Sequence, residues 1–214
     1  MDWRTTIPSF KLSTIPEEEH EIATHLSFLL YKLHTYAEDF LSGLLLFDNV
    51  GTLAERAGPE YERIVSKWLF IAARDGAMTI FHYGKVLHLI RSSMGKCPAF
   101  RSRVDVDALR QCARDFDAAF PLYIQIRNAI AHAGEMLQLE KQKQHSISGA
   151  IDIPGFIKGF LNEATLNANI VGRDFGYTFE GAYITYSVSH ENYSKLLEIK
   201  NGAFEAFSSA AEKW

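Results

Sequence analysis

Apolar residues recur at three- and four-residue intervals from Ile22. Ile22, Leu26, Leu29, Leu33, Tyr36, Phe40 and Leu44 form one stripe of an amphipathic helix. Thr14-Ile15-Pro16-Glu17-Glu18-Glu19 marks its start, because proline fits a first turn and acids meet the positive end of the helix dipole. Asp48-Asn49-Val50-Gly51 reads as its end. A second helix opens at Gly58-Pro59-Glu60, carries Ile64, Trp68, Ile71, Ala72, Met78, Tyr83 and Leu87 on its apolar side, and closes near Met94-Gly95. Ala72, Ala73, Gly76 and Ala77 give it a small-residue face suited to a close neighbour. Gly76 and Gly84 each cost ~1 kcal/mol relative to Ala, which allows a kink at either. A third, shorter helix follows Asp105, with Val106, Leu109, Cys112, Ala113, Phe116 and Phe120 apolar. Pro121 begins a fourth, with Leu122, Ile124, Ile126, Ala129, Ile130 and Ala133 apolar. It either caps at Gly134 or runs on through Met136, Leu137 and Leu139 into Lys141-Gln142-Lys143-Gln144.

Beyond His145 the period changes. Ile151 to Gly155 and Asn167 to Gly172 read as irregular or short extended pieces, whereas Phe175 to Phe179, a Glu180-Gly181 turn and Ala182 to Val188 predict a β-hairpin rich in aromatic and β-branched residues. A lone hairpin is marginal in water, so this one must pack on the helices or pair with a further strand. Residues 191–213 predict a fifth helix, with Tyr193, Leu196, Leu197, Lys200, Ala203, Phe204 and Phe207 on one face. The pattern as a whole predicts a single mainly α domain over 1–214: an up-down four-helix bundle with a β-hairpin insertion at 146–189 and a C-terminal fifth helix.

Composition narrows the class without changing the fold. Apolar residues are 47% and charged residues 22% of 214, as in an ordinary globular protein rather than a disordered or collagen-like chain. Cys97 and Cys112 are the only cysteines and lack a metal-ligand spacing, so neither a disulfide framework nor a zinc site is expected and no cofactor is implied. His20 and His25, and His82 and His88, likewise miss the i, i+4 spacing of a helical metal site. No apolar run approaches ~20 residues and the first sixteen residues have no signal-like apolar core, which predicts a soluble cytoplasmic protein with no membrane partner.

The net charge of −4 is unevenly placed. Residues 1–50 sum to −5 (three basic, eight acidic), 51–133 to +4 (twelve and eight) and 134–214 to −3 (seven and ten). Residues 76–104 hold Lys85, Arg91, Lys96, Arg101 and Arg103 and one acid-free stretch after Asp75, a segment suited either to phosphate or simply to water.

The stretch Tyr123-Ile124-Gln125-Ile126-Arg127-Asn128-Ala129-Ile130-Ala131-His132-Ala133-Gly134 carries the chemistry. Five helical steps turn His132 about 140° from Arg127 and advance it ~7.5 Å, while Asn128 and His132 share a ridge at i and i+4. The long Arg127 side chain either reaches round to the same pocket or onto a partner subunit. Histidine transfers protons near neutral pH, and a guanidinium offers paired charge-assisted hydrogen bonds to phosphate oxygens. The motif offers only one histidine, so acid and base together would most simply come from two chains meeting across a two-fold axis. If the helix ends at Gly134, the dipole favours a protonated His132.

Arg-Asn-x3-His late in a fourth helix, after two long helices and a shorter one, resembles the Arg-x4–6-His signature of the HEPN superfamily (higher eukaryotes and prokaryotes nucleotide-binding domain). The resemblance covers roughly residues 17–135. It implies a helical bundle, a homodimer with a composite site of two motifs, and metal-independent endoribonuclease activity on RNA in a toxin or phage-defence setting, with a cognate antitoxin as a further partner. Arg127, Asn128 and His132 are then the catalytic set. In an up-down bundle Arg91, Lys96, Arg101 and Arg103 would flank His132 and bind the RNA backbone, with the acidic start of helix 1 at the same end. The alternatives are a non-catalytic module binding RNA, nucleotide or protein, and a structural role in which Arg127 pairs with an acid and His132 is a bonded helix-end residue. Asp75, Thr79 and His82 form a polar stripe, read either as partners of the motif or as an ordinary polar face. Tyr177, Tyr183 and Tyr186 fit strand packing better than base stacking.

Overall fold

The structure is a computed structural model that describes residues 6–211. The chain is mainly helical, with a β-containing segment ahead of a C-terminal helix. Its helices are α1 His20–Ala57, α2 Glu62–Ser93, α3 Pro98–Arg101, α4 Val106–Ala119, α5 Tyr123–Ala131, α6 Leu139–His145 and α7 His190–Ala206. The strands are β1 Ile147–Ile153, β2 Ile157–Ala164, β3 Asn169–Val171, β4 Asp174–Phe179 and β5 Ala182–Ser187. The last helix, predicted over 191–213, ends at Ala206 and gives way to turns over 207–210, while 212–213 lie outside the described residues. Two compact units divide the chain: a helical unit from the described parts of Met1–Leu41 and Glu191–Trp214 with Thr79–Pro121, and a mixed unit from Ser42–Met78 and Leu122–His190.

In the helical unit four helix segments contact one another in a ring. Tyr36 of α1 stacks on His82 of α2 at 5.6 Å, and Tyr83 of α2 stacks on Phe116 of α4 at 5.6 Å. A Cβ at Gly202 of α7 would sit 3.0 Å from Cys112 Sγ of α4, and His34 of α1 meets Phe204 of α7 at 6.5 Å. The fully buried Tyr83 hydroxyl donates to Leu196 O of α7 at 2.8 Å, and burial pushes its pKa up. Leu26, Leu29, Leu33 and Phe40 of α1 and Leu109, Cys112, Ala113 and Phe116 of α4 are buried as their spacing predicts. The fourth segment of this unit is α7, while the motif helix α5 belongs to the mixed unit.

The acidic start of α1 has a structural use. Glu19 is buried, and its carboxylate accepts from the backbone N–H groups of Ala99 and Phe100, both at 2.9 Å, so it satisfies the start of the one-turn helix α3. At the far end of the unit's sequence, Lys200 lies on the apolar face of α7, only 3% exposed, with Nζ 5.6 Å from the Phe204 ring centre. Burial pushes its pKa below the ordinary lysine range, against a smaller opposing pull from Glu38.

In the mixed unit β3, β4 and β5 form an antiparallel sheet in that order. The predicted hairpin is present: Phe179 pairs with Ala182, and Glu180 and Gly181 turn the chain with φ of 51° and 76°. Positive φ at both turn residues is the two-residue geometry that matches strand twist. Residues from Phe175 to Phe179 are all buried, and α5 packs on β4 and β5. The buried His145 ring stacks on Phe179 at 4.7 Å and accepts the Glu180 N–H at 3.0 Å. Among the tyrosines, Tyr186 donates to Ala73 O of α2 and Tyr183 to Asn169 Oδ1, so they serve packing.

Three readings of the pattern are corrected. The first helix does not end at Asp48-Asn49-Val50-Gly51 but runs to Ala57. Asp48 accepts from Arg173 at 2.5 Å and pairs with His190 at 2.9 Å, Asn49 bonds back to Leu45 O, and Val50 is buried, so these residues act inside the helix. Ile64 and Ile71 are more than half exposed. Ala72, Tyr83 and Leu87 are buried as predicted, joined by Val65, Ala73, Ala77, Ile80 and Ile90, and the small side chains let Ala72 O approach to 3.5 Å from a Cβ at Gly43 of α1. No break occurs at Gly76 or Gly84. Finally, the stretch 151–155, read as irregular or short extended, is extended at Ile151–Ile153 and belongs to a longer hairpin missed by the pattern, in which β1 and β2 pair from Ile153↔Ile157 outward around Pro154-Gly155-Phe156.

Two stability outcomes follow from the helical unit. Glu19→Ala leaves the buried Phe100 N–H and the part-buried Ala99 N–H without their charged acceptor and lowers unfolding free energy in urea by about 2–3 kcal/mol, whereas exposed Glu18→Ala stays within about 0.5 kcal/mol. Because Lys200 holds its proton less tightly folded than unfolded, its burial cost is full below the lowered pKa and shrinks as pH rises toward the ordinary value near ~10.4. Lys200→Met is therefore at least as stable as wild type at pH 7, and its advantage in urea titrations narrows toward pH ~10.

Candidate functional site

The motif helix owes its position to two buried residues. Ile126 and Ala129, at i and i+3, are the buried positions of α5, and they set the face that meets the sheet. Pro121 precedes the helix and the chain leaves α-geometry after Ala131. His132 is the C-cap, with φ −95° and ψ 10°, and its N–H donates to Asn128 O at 2.9 Å. Neither sequence alternative for the helix end holds: the chain turns at His132, forms a short 3₁₀ turn over Glu135–Leu137, and resumes as α6 from Leu139.

That turn brings an unpredicted acid to the histidine. Glu135 N donates to His132 O at 2.9 Å, and the His132 Nδ1 lies 2.9 Å from Glu135 Oε1. A carboxylate only accepts, so Nδ1 carries the proton and Nε2 is the nitrogen left for a second partner. The hydrogen bond from His132 holds the Glu135 carboxyl below the usual range, so it is ionised near neutral pH. The imidazole is 46% exposed, fixed on one side and open on the other.

Arg127 and Asn128 are half-buried one turn earlier, and Arg127 Nη1 donates to Asn128 Oδ1 at 3.2 Å. The structure thus pairs Arg127 with Asn128 and His132 with Glu135, and links the pairs through the His132–Asn128 backbone bond. Glu135 follows His132 by three residues just after Gly134, a spacing that closes a turn; that was the sequence signal for it.

The four cations read as RNA contacts, Arg91, Lys96, Arg101 and Arg103, all belong to the helical unit. They do not act as one group. Arg103 donates to Thr14 Oγ1 at 3.0 Å and Ala210 O at 3.4 Å, which makes it a tie between chain segments, and Lys96 is exposed on a 3₁₀ turn after α2. Arg91 and Arg101 line one depression together with Arg110 and Arg114, two residues the sequence reading passed over. The Asp75, Thr79, His82 stripe is not a polar unit: Thr79 is buried, and His82 is taken by Tyr36.

In the mixed unit a smaller depression of about 210 Å³ is lined by Lys67, Phe70, Ile71, Arg74 and Ala168. Burial pushes the Tyr177 pKa up, against a smaller opposing pull from the nearby Arg74 charge. Among the described residues no three His, Cys, Asp or Glu side chains converge to hold a metal ion, and no helix is long and apolar enough to cross a membrane. No protein-family model matches the chain, and neither the curated proteins nor the solved structures provide a match.

Proposed function

We propose that the chain is a metal-independent endoribonuclease of HEPN type that works as a homodimer, with His132, Arg127 and Asn128 at the reacting phosphate. The observation that carries this reading is the presentation of His132: an exposed imidazole at a helix end, its Nδ1 held by an ionised carboxylate and its Nε2 open. Such an arrangement resembles the oriented imidazoles that transfer protons in acid–base catalysis, with Glu135 as a positioning residue.

The reaction needs little more. An RNA 2′-hydroxyl attacks the adjacent phosphorus and gives its proton to a neutral imidazole Nε2. The bond from phosphorus to the 5′-oxygen breaks, and that oxygen takes a proton from a second, protonated imidazole. The products are a 2′,3′-cyclic phosphate and a 5′-hydroxyl end. One motif holds one histidine, so acid and base come from two copies of the chain. Arg127 supplies charge to the non-bridging oxygens, where preorganised donors lower the barrier most, and Asn128 steadies its guanidinium. A cytoplasmic setting and a cognate antitoxin belong with this reading.

Purified protein incubated with structured RNA and excess chelator is expected to cleave it, and His132→Ala to lose at least about a hundredfold in rate while still binding RNA. Glu135→Gln lowers kcat about tenfold with KM little changed, because the ring loses orientation rather than contact with RNA. Binding without cleavage by wild type supports the non-catalytic module instead. Cleavage by His132→Ala at the wild-type rate contradicts the assignment.

A further inference from the structure

Arg91 in the last turn of α2, Arg101 in the last turn of α3, and Arg110 and Arg114 one turn apart on α4 line a single depression of about 380 Å³ in the helical unit, with Ser92, Met94, Gly95 and Val106 completing its wall. All four arginines are exposed. The volume lies at the lower end of the ~300–1,000 Å³ typical of small-ligand sites.

The carboxylates nearby in sequence neutralise only one member of this group, Arg110. Asp105 is used on Ala108 N at 2.9 Å, Asp107 pairs with Arg110 at 2.6 Å, and Asp115 accepts from Gln111 at 2.7 Å. Arg114 is held by a neutral acceptor, Gln111 Oε1, at 2.6 Å. Arg91 and Arg101 have no carboxylate within ion-pair distance among the described residues. Four guanidiniums therefore face one concavity against a single paired acid, and a concave wall concentrates their field.

We propose that this depression binds a compact polyanion of linked phosphate groups, either inorganic polyphosphate or the phosphate tail of a small metabolite. Guanidinium forks suit several phosphate oxygens gathered in one place. A nucleic-acid backbone is better served by cations strung along a track, and the two further cations that would extend one fail to: Arg103 is tied to Thr14 and Ala210, and Lys96 is not part of the wall.

Tripolyphosphate titrated into the full chain at low salt by calorimetry tests this. Saturable binding at one site per chain is expected, weakened at least fivefold in each of Arg91→Ala and Arg114→Ala, with unchanged circular dichroism. Orthophosphate at matched ionic strength binds at least tenfold more weakly. ATP competing while adenosine does not assigns the metabolite-tail source, and competition by tripolyphosphate alone assigns the inorganic one. No saturable binding, or binding that neither substitution alters, overturns the proposal. An oligoribonucleotide bound through these arginines when tripolyphosphate is not overturns it in favour of a nucleic-acid surface. His132 takes no part in this measurement, so its outcome is independent of the ribonuclease reading.

Discussion

The burial of Ile126 and Ala129 fixes where the motif helix lies and how much of it there is. With only nine residues, α5 has little helical stability of its own and depends on packing against β4 and β5. That sheet face is in turn held by the Glu180-Gly181 turn, by His145 beneath it, and by the Tyr186 hydroxyl on Ala73 O. Because the helix stops at Ala131, His132 closes the ladder with its N–H on Asn128 O, and its carbonyl turns to Glu135 N, which brings the Glu135 side chain to the imidazole. A helix continuing through Gly134 would have put the same two residues at i and i+3 on a helical surface, with no turn bond between His132 O and Glu135 N. The chemistry proposed for His132 thus rests on a packing constraint six residues away.

Charge in this protein is sorted by use rather than by amount. Glu19 and Asp48, both in acidic or helix-ending contexts by sequence, are structural anchors for backbone N–H groups and for Arg173 and His190. Arg103 is likewise a tie. Two groups keep an exposed side: the His132 imidazole, bonded to Glu135 only through Nδ1, in the mixed unit, and the four guanidiniums that line one depression in the helical unit. These are two chemistries, proton transfer and anion binding, and each stands on its own geometry. Lys200 is the opposite case, a charge buried where its spacing on α7 places it and kept at some cost to the fold.

Much of the helical pattern was legible because burial follows period. Leu26, Leu33, Phe40, Leu109, Phe116 and Leu196 are buried where a 3.6-residue repeat puts them, and the β4–β5 hairpin announces itself through its turn residues. Legibility failed where size or tertiary bonds override polarity. Ile64 and Ile71 are more apolar than Ala73 and Gly76, yet the small residues are buried because they admit a neighbouring helix. The β1–β2 hairpin alternates weakly since much of it faces solvent, and Gly149 and Gly159 interrupt the strand signal. At the candidate site, Arg127, Asn128 and His132 were readable as a motif, but Glu135 and the pairing of Arg91 and Arg101 with Arg110 and Arg114 depend on turns and on contacts between separate helices, which residue order does not disclose.

The identity of the ends left on cut RNA bears most directly on the central claim that oriented imidazoles move protons during attack by the 2′-hydroxyl. Wild-type protein in excess chelator should leave 2′,3′-cyclic phosphate and 5′-hydroxyl ends, and neither should form with His132→Ala. Intact RNA under all conditions, or 5′-phosphate ends, would contradict the account.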